Sequence, residues 1–272
     1  MSASGNWRHL VLLATVLVSV VVVFLLEPMP QWPEYHDFAD KRSILGVPNA
    51  LDVLSNVPFF LVGMLGLMAV TRRVPGFAPG IAPSARVWER WPWGVLFVGI
   101  TLTAPGSAWF HLEPNNATLV WDRLPMTVGF MGLLSVVLAE RVSLAVARKL
   151  FGVLVLVGLA SVFYWDWTES LGRGDLRPYG LVQFGSLAVV LLTVLLYPAR
   201  EPGTAWLWGA IGCYALAKVL EATDVQIFSI GEVVSGHTLK HLAAGAGSAC
   251  LLAMFLVRQP LGSGRHASAA EG

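Results

Sequence analysis

Residues 106–131, GSAWFHLEPNNATLVWDRLPMTVGFM, join two apolar segments through a short polar turn. Ser107 and His111 lie where the first segment ends, and Asp122 lies where the second begins. Because a transmembrane helix needs about 20 predominantly apolar residues, we interpret this stretch as two membrane helices that reverse direction at one membrane surface. Ionisable residues at membrane depth are costly and most often functional. This stretch therefore predicts a helical membrane fold together with a candidate site.

The composition is that of a membrane protein. Hydrophobic residues make up 56% of the 272 residues and charged residues 13%, whereas soluble domains carry about 25% charged residues. The net charge of +1 gives no indication of nucleic-acid binding. Cys213 and Cys250 both lie inside apolar segments, so we interpret them as packing residues and not as a disulfide or a thiolate metal site.

Apolar segments of membrane-spanning length recur along the whole chain. Only helices and closed barrels satisfy their backbone hydrogen bonds in lipid, so these segments predict an all-α integral membrane bundle. No small-residue cleavage site follows the first segment, which we therefore expect to be an uncleaved anchor helix. The eight predicted spans are residues 10–26, 50–70, 91–110, 119–138, 145–164, 178–197, 204–219 and 235–257.

The distribution of basic residues predicts the orientation. With eight spans, both termini and the even-numbered loops share one side, and short basic loops stay in the cytoplasm. That side carries Arg8, Arg72, Arg73, Arg86, Arg90, Arg141, Arg148, Lys149, Arg200, Arg258 and Arg265, whereas the other carries only Lys41, Arg42, Arg173 and Arg177. Both termini are therefore predicted to be cytoplasmic. The same topology places His111, Asp122, His237 and His241 together on the non-cytoplasmic side.

The histidines have the spacing of metal ligands. His237 and His241 are four residues apart and share a helix face, and His111 can supply a third ligand from another helix. Three ligands leave one tetrahedral position open, which is the arrangement of catalytic zinc. Asp122 would then act as general base, and Ser107 would hydrogen-bond the water or the developing oxyanion.

Each of these residues also has a structural interpretation. A single histidine at a membrane interface is often only hydrogen-bonded, and Ser107 could bond a helix carbonyl. Asp122 could cap a helix or pair with Arg123.

The ordered pattern S-x-x-x-H, then D eleven residues after that histidine, then H-x-x-x-H in the last span resembles the alkaline ceramidases. These belong to a wider superfamily of seven-span membrane hydrolases that includes adiponectin-receptor-like and Per1-type proteins. The resemblance implies that Ser107 and Asp122 are active-site residues and that His111, His237 and His241 bind zinc. The implied reaction is hydrolysis of a ceramide amide bond to a sphingoid base and a fatty acid.

The resemblance also implies the domain organisation, a seven-transmembrane-helix bundle with one extra N-terminal transmembrane helix. Residues 1–30 form the anchor helix, residues 31–49 a polar loop, residues 50–258 the seven-helix hydrolase core, and residues 259–272 a polar C-terminal tail. The expected partners are a ceramide-like lipid substrate and the bilayer, with no obligate protein partner.

Family ceramidases also bind calcium just before their first core helix. Asp37 and Asp40 keep a similar D-x-x-D spacing, and Asn49 lies near the position of a further ligand. Lys41 and Arg42 adjoin them and lower the expected affinity, since calcium prefers six to eight oxygen ligands. The alternative is a solvated loop whose charges pair among themselves.

Two basic residues near the site complete the prediction. Arg123 is expected to pair with a carboxylate or phosphate at the interface, and Lys240 to snorkel or to meet an acid such as Glu221 or Asp224.

Three other functions remain open on the sequence alone. The same residues could hydrolyse a lipid ester, since the apparatus serves either carbonyl. A receptor-like bundle could hold a structural zinc, although such a site has no need of Asp122. A zinc transporter would need a ladder of further ligands along a path to the cytoplasm, and the predicted spans contain none.

Overall fold

The computed structural model describes residues 6–71 and 88–258, and this part of the chain is helical without any β-strand. A 3₁₀ turn covers Pro33–His36, and π-helical turns cover Leu138–Val142 and Leu181–Gly185. The helices are α1 Asn6–Leu25, α2 Ala50–Leu54, α3 Val57–Val70, α4 Arg90–Leu112, α5 Asn116–Val137, α6 Leu144–Ser170, α7 Arg177–Gly180, α8 Ser186–Leu196, α9 Thr204–Ala222, α10 Asp224–Phe228 and α11 Gly236–Leu256.

Seven helical stretches in the described ranges are long and apolar enough to cross a membrane. They are Trp7–Leu25, Ala50–Val70, Arg90–Leu112, Asn116–Val142, Leu144–Ser170, Arg177–Leu196 and Gly236–Leu256. The predicted all-helical, multi-pass character is thus confirmed.

The predicted span 204–219 forms α9 but is not among the seven. α9 contains Lys218 and Glu221 near its end. The count of eight spans and the orientation stay predictions. Arg72, Arg73, Arg86 and Arg265, like the predicted tail 259–272, lie outside the described residues.

Local sequence signals begin the two helices that carry the second half of the site. Asn115 caps α5, since its Oδ1 accepts the backbone N–H of Thr118 at 3.0 Å while the Thr118 hydroxyl accepts the N–H of Asn115 at 3.3 Å. Ser235 caps α11 by accepting the N–H of Thr238 at 3.0 Å. Such caps satisfy backbone donors that would otherwise be buried without a partner.

Small residues let α4 and α5 approach backbone to backbone. A Cβ built on Gly106 would lie 2.1 Å from the carbonyl oxygen of Trp121, and one on Gly99 would lie 2.4 Å from the backbone nitrogen of Gly129. Close packing of this kind is how membrane helices associate in the absence of a hydrophobic force between them. It sets the end of α4, with Ser107 and His111, against the start of α5.

α1 lies on the outside of the bundle, and most of its apolar side chains are exposed. The hydroxyl of Tyr197 and Nδ1 of His9 are hydrogen-bonded at 2.9 Å, which ties α1 to the end of α8. In the segment that follows α1, the carbonyl of Met29 accepts the N–H of Leu176 at 2.8 Å. The arrangement is consistent with an extra N-terminal helix attached to a core.

Candidate metal centre

Three histidines from two helices meet near one end of the bundle. His111 lies in the last turn of α4, and His237 and His241 lie in the first two turns of α11. One nitrogen atom of each lies within 4.8 Å of the other two, and all three side chains are buried. Within residues 6–71 and 88–258 this is the only such cluster of three or more histidine, cysteine, aspartate or glutamate side chains. The predicted convergence of the three histidines is confirmed.

The chemistry of this cluster fits a metal ion. Nδ1 of His111 and Nε2 of His237 are buried and have no hydrogen-bond partner within the described part of the chain. Leaving a buried polar atom without a partner costs about 1–3 kcal/mol. A metal held by the three imidazoles would use such nitrogens as ligands, and a set of three neutral nitrogen donors is compatible with zinc.

A serine fixes the orientation of His241. Oγ of Ser55 donates its single proton to the carbonyl oxygen of Asp52 at 2.9 Å. It must therefore accept from Nδ1 of His241, which lies 2.8 Å away. That bond protonates Nδ1 and leaves Nε2 with the free lone pair, as metal-binding histidines require of their outer partners. The sequence interpretation missed Ser55, although a polar Ser-Asn pair inside an apolar span was visible.

Two carboxylates hold the start of α11 in place. Asp52 is fully buried, and its Oδ1 accepts from the hydroxyl of Thr238 at 2.6 Å. Asp224 accepts the N–H of His237 at 2.7 Å and the N–H of Ala39 at 3.0 Å. The pair His237 and His241 is thus positioned by α2 and α10, and the polar loop bonds to the same Asp224.

The polar loop covers the histidine cluster. The ring of Phe38 is buried, with its centre 4.6 Å from the ring centres of both His111 and His237. Asn49 donates its side-chain amide to the carbonyl of His111 at 2.8 Å. This loop therefore contributes a lid of apolar and amide groups to the site.

A cavity of about 690 Å³ adjoins the cluster and runs through the bundle. Ser107, Asp122 and His241 all line it, and the Ser107 hydroxyl acts electrostatically on the Asp122 carboxyl group. The lining continues along α11 as far as Leu251, about 15 Å beyond His241 at 1.5 Å per residue. Most of that lining is apolar, including Leu133, Leu187, Val190 and Leu207. The predicted catalytic pair and one predicted metal ligand thus share a cavity suited to hydrocarbon.

A half-buried ion-pair cluster lines the same cavity. Nζ of Lys240 lies 2.7 Å from Oε1 of Glu221, and Lys218 contacts the other carboxylate oxygen. The expectation that Lys240 meets Glu221 is confirmed. Asp224 instead accepts backbone N–H groups, as described above.

The three calcium candidates are each bound to other protein groups. Asp37 forms an ion pair with Lys41, and Asp40 accepts from Nε and Nη2 of Arg42 at 2.8 and 2.6 Å. That guanidinium holds the pKa of Asp40 below its ordinary value. In the described residues no hydrogen bond joins Asp37, Asp40 and Asn49 to one another. Calcium binding stays a prediction.

No protein-family model and no curated protein sequence matches the chain. Fold and site together define a multi-pass helical membrane protein with a buried tri-histidine cluster that could hold a metal ion. The expected relation to the alkaline ceramidases therefore stays a prediction from the ordered pattern of Ser107, His111, Asp122, His237 and His241.

Proposed function

We propose that this protein is a zinc-dependent membrane hydrolase that cleaves the amide bond of ceramide, or of a ceramide-like lipid, to a sphingoid base and a fatty acid. One observation carries the proposal. The histidine cluster adjoins an apolar cavity whose wall also presents the carboxyl group of Asp122 and the hydroxyl of Ser107.

Each residue has a defined part in such a reaction. Zinc bound by His111, His237 and His241 would polarise the amide carbonyl and lower the pKa of a water molecule. Asp122 would take a proton from the attacking water and deliver it to the leaving nitrogen as the carbon–nitrogen bond breaks. Ser107 would donate a hydrogen bond to the oxygen that gains negative charge. The water oxygen stays on the fatty acid, and the proton goes to the amine.

The shape of the cavity supports a lipid substrate. Its polar groups lie at the end near His241, and its apolar lining follows α11 away from them. A bound lipid would keep its carbonyl at the polar end while its hydrocarbon chain fills the rest. We place the site on the non-cytoplasmic side and both termini in the cytoplasm, on the strength of the arginine and lysine distribution.

Hydrolysis of a lipid ester uses the same groups and is the nearest alternative. A receptor-like bundle with a structural zinc would not require Asp122 and Ser107 in a cavity that also contains a metal ligand, so their presence favours catalysis.

The test combines metal content with turnover on the purified full-length protein. Zinc is quantified by elemental analysis, and fluorescent ceramides and lipid esters are assayed with wild type, Asp122→Asn and the control Glu113→Gln, which alters an exposed acid in the turn between α4 and α5. We expect bound zinc in all three and a loss of about 10²–10⁴-fold in rate for Asp122→Asn alone. Zinc without turnover on any amide or ester would favour the receptor-like alternative. A folded protein without zinc would refute both.

A further inference from the structure

Arg123 is buried in a cage of aromatic rings. Its guanidinium carbon lies 4.3 Å from the ring centre of Trp165, 4.7 Å from that of Tyr179 and 5.5 Å from that of Tyr35. Nη2 donates to Oε1 of Gln31 at 2.6 Å, whereas Nη1 is buried and has no partner within the described part of the chain. The side chain is 4% exposed. One side of the guanidinium is therefore held in place while the other has a free donor.

Among residues 6–71 and 88–258, the charge of Arg123 has no acidic partner. No carboxylate among the described residues lies within ion-pair distance of it, although its charge acts on the neighbouring Asp122. Glu169 is occupied elsewhere, since its Oε1 accepts the backbone N–H of Gln31 at 2.5 Å and the ring N–H of Trp165 at 3.0 Å. A buried cation without a counter-ion is strongly unfavourable. This environment favours a bound anion.

The cavity offers a route to that position. Arg123, Gln31, Tyr35 and Tyr179 all belong to its lining. The charged residues of the lining are three basic and two acidic, namely Arg123, Lys218, Lys240, Asp122 and Glu221. Most of the remaining lining is apolar, so an anion that reaches Arg123 fits best as part of a molecule with a hydrocarbon chain.

We propose that Arg123 and Gln31, with the rings of Tyr35, Trp165 and Tyr179, form a subsite for the anionic group of a lipid. A guanidinium recognises carboxylate and phosphate through paired N–H donors, and both anions fit this subsite. The proposal rests on the proposed function in taking the cavity as a lipid site. A neutral ceramide would supply the carboxylate only after cleavage, on the fatty acid, whereas a phosphate would belong to a headgroup.

The subsite also gives a role to α1 and to the segment that follows it. Gln31 lies in the segment that follows α1, and that segment is held to the core where Leu176 donates to Met29 and Arg177 donates to the carbonyl of Leu26 at 2.5 Å. Docking of α1 would therefore place the amide that orients Arg123.

The test measures displacement of a neutral fluorescent lipid from the purified, full-length protein. The competitors are an alkyl carboxylate, an alkyl phosphate and an alcohol of one chain length, at a pH above about 6 where both anions are charged. Arg123→Met removes the cation. Gln31→Glu keeps the size of the side chain and places a carboxylate against Nη2, so it neutralises Arg123 from within the protein. Arg141→Met is the matched control, because Arg141 is also buried but bonds to Tyr197 and Thr204 outside this cavity.

In wild type we expect at least one of the two anions to compete about 10- to 100-fold better than the alcohol. That preference should fall close to unity in Arg123→Met and Gln31→Glu, with alcohol binding kept, and should persist in Arg141→Met. Preference for the carboxylate would identify the product as the source, and preference for the phosphate a headgroup. Equal binding of all three competitors to wild type, or a preference that survives in Gln31→Glu, would overturn the proposal.

Failure of the proposed function is distinguishable from failure of the subsite. An Arg123-dependent anion preference in a protein that hydrolyses neither amide nor ester would retain the subsite and refute the hydrolase. Hydrolysis of ceramide without any such preference would retain the hydrolase and refute the subsite.

Discussion

The hydroxyl of Ser55 is expected to tune metal binding although it does not touch the metal. In the structure it lies 2.8 Å from Nδ1 of His241, and its own proton is committed to the carbonyl of Asp52, which also interacts with His241. Ser55→Ala would take this hydroxyl from the buried Nδ1–H group and leave it only the backbone carbonyl of Asp52. Loss of such an outer partner lowers metal affinity about 10- to 100-fold, which is about 1.4–2.8 kcal/mol. The metal-free protein should lose about 1–3 kcal/mol of stability for the same reason.

The assay is a zinc titration of the metal-free protein against a competing chromogenic chelator. Ser135→Ala serves as the control, because Ser135 is also buried and its hydroxyl donates to the carbonyl of Met131 at 2.7 Å within α5. We expect the control to keep the wild-type zinc affinity. If Ser55→Ala bound zinc as tightly as wild type, the inferred tautomer of His241 and its role as a ligand through Nε2 would be refuted.

Two further predictions concern the fold around the site. In Gly106→Ala the new methyl group would meet the carbonyl oxygen of Trp121 at 2.1 Å, and neither backbone can yield, so thermal unfolding should show a loss of about 1–3 kcal/mol or more. Gly152→Ala, which meets nothing within 4 Å, should be neutral or slightly stabilising; equal losses in both variants would contradict the close approach of α4 and α5. Arg42 holds the pKa of Asp40 below its ordinary value of 3.8, so this pair should stabilise the protein fully above about pH 4 and lose its effect as the pH falls further. In Asp40→Asn, the free energy of unfolding should fall less steeply as the pH is lowered below about 4. An unchanged pH dependence would show that the pair contributes nothing.

The histidine cluster was predictable because its residues lie at the ends of apolar segments, which the expected order of spans brings to one end of the bundle. His111 lies at the end of α4, and His237 and His241 lie at the start of α11, and these two helix ends meet in the structure. Because His237 and His241 are four residues apart in a helix, both side chains face the same ion. Neither step depends on the details of packing, which is why sequence alone could locate the three residues.

The partners of these residues were not predictable in the same way. Ser55 and His241 are 186 residues apart, and Arg123 and Gln31 are 92 apart. Such contacts depend on how far each helix is rotated about its own axis, a quantity that hydrophobic spacing defines only loosely in a helix apolar on every side. The expected carboxylate partner of Arg123 is absent from the described residues for that reason, since the rings of three other segments surround it.

α9 shows why hydropathy alone does not decide the number of spans. Lys218 and Glu221 lower its hydropathy, yet the structure turns both toward the cavity, where Glu221 also pairs with Lys240. Hydropathy sums side chains regardless of the direction they face. When the charged side chains of a helix pair inside the bundle, the mean hydropathy of the whole helix is lower than that of its outward-facing side chains.

The position of Phe38 has a consequence for how an ion would be exchanged. The ring that covers His111 and His237 belongs to a loop, and not to a helix of the bundle; beside it, Ala39 bonds to Asp224 and Arg42 to the carbonyl of Val233. Local opening of a loop requires less free energy than unfolding of a bundle. Capture and release of a metal should therefore follow the opening rate of this loop, and a chelator should strip the site from a protein whose helices remain assembled.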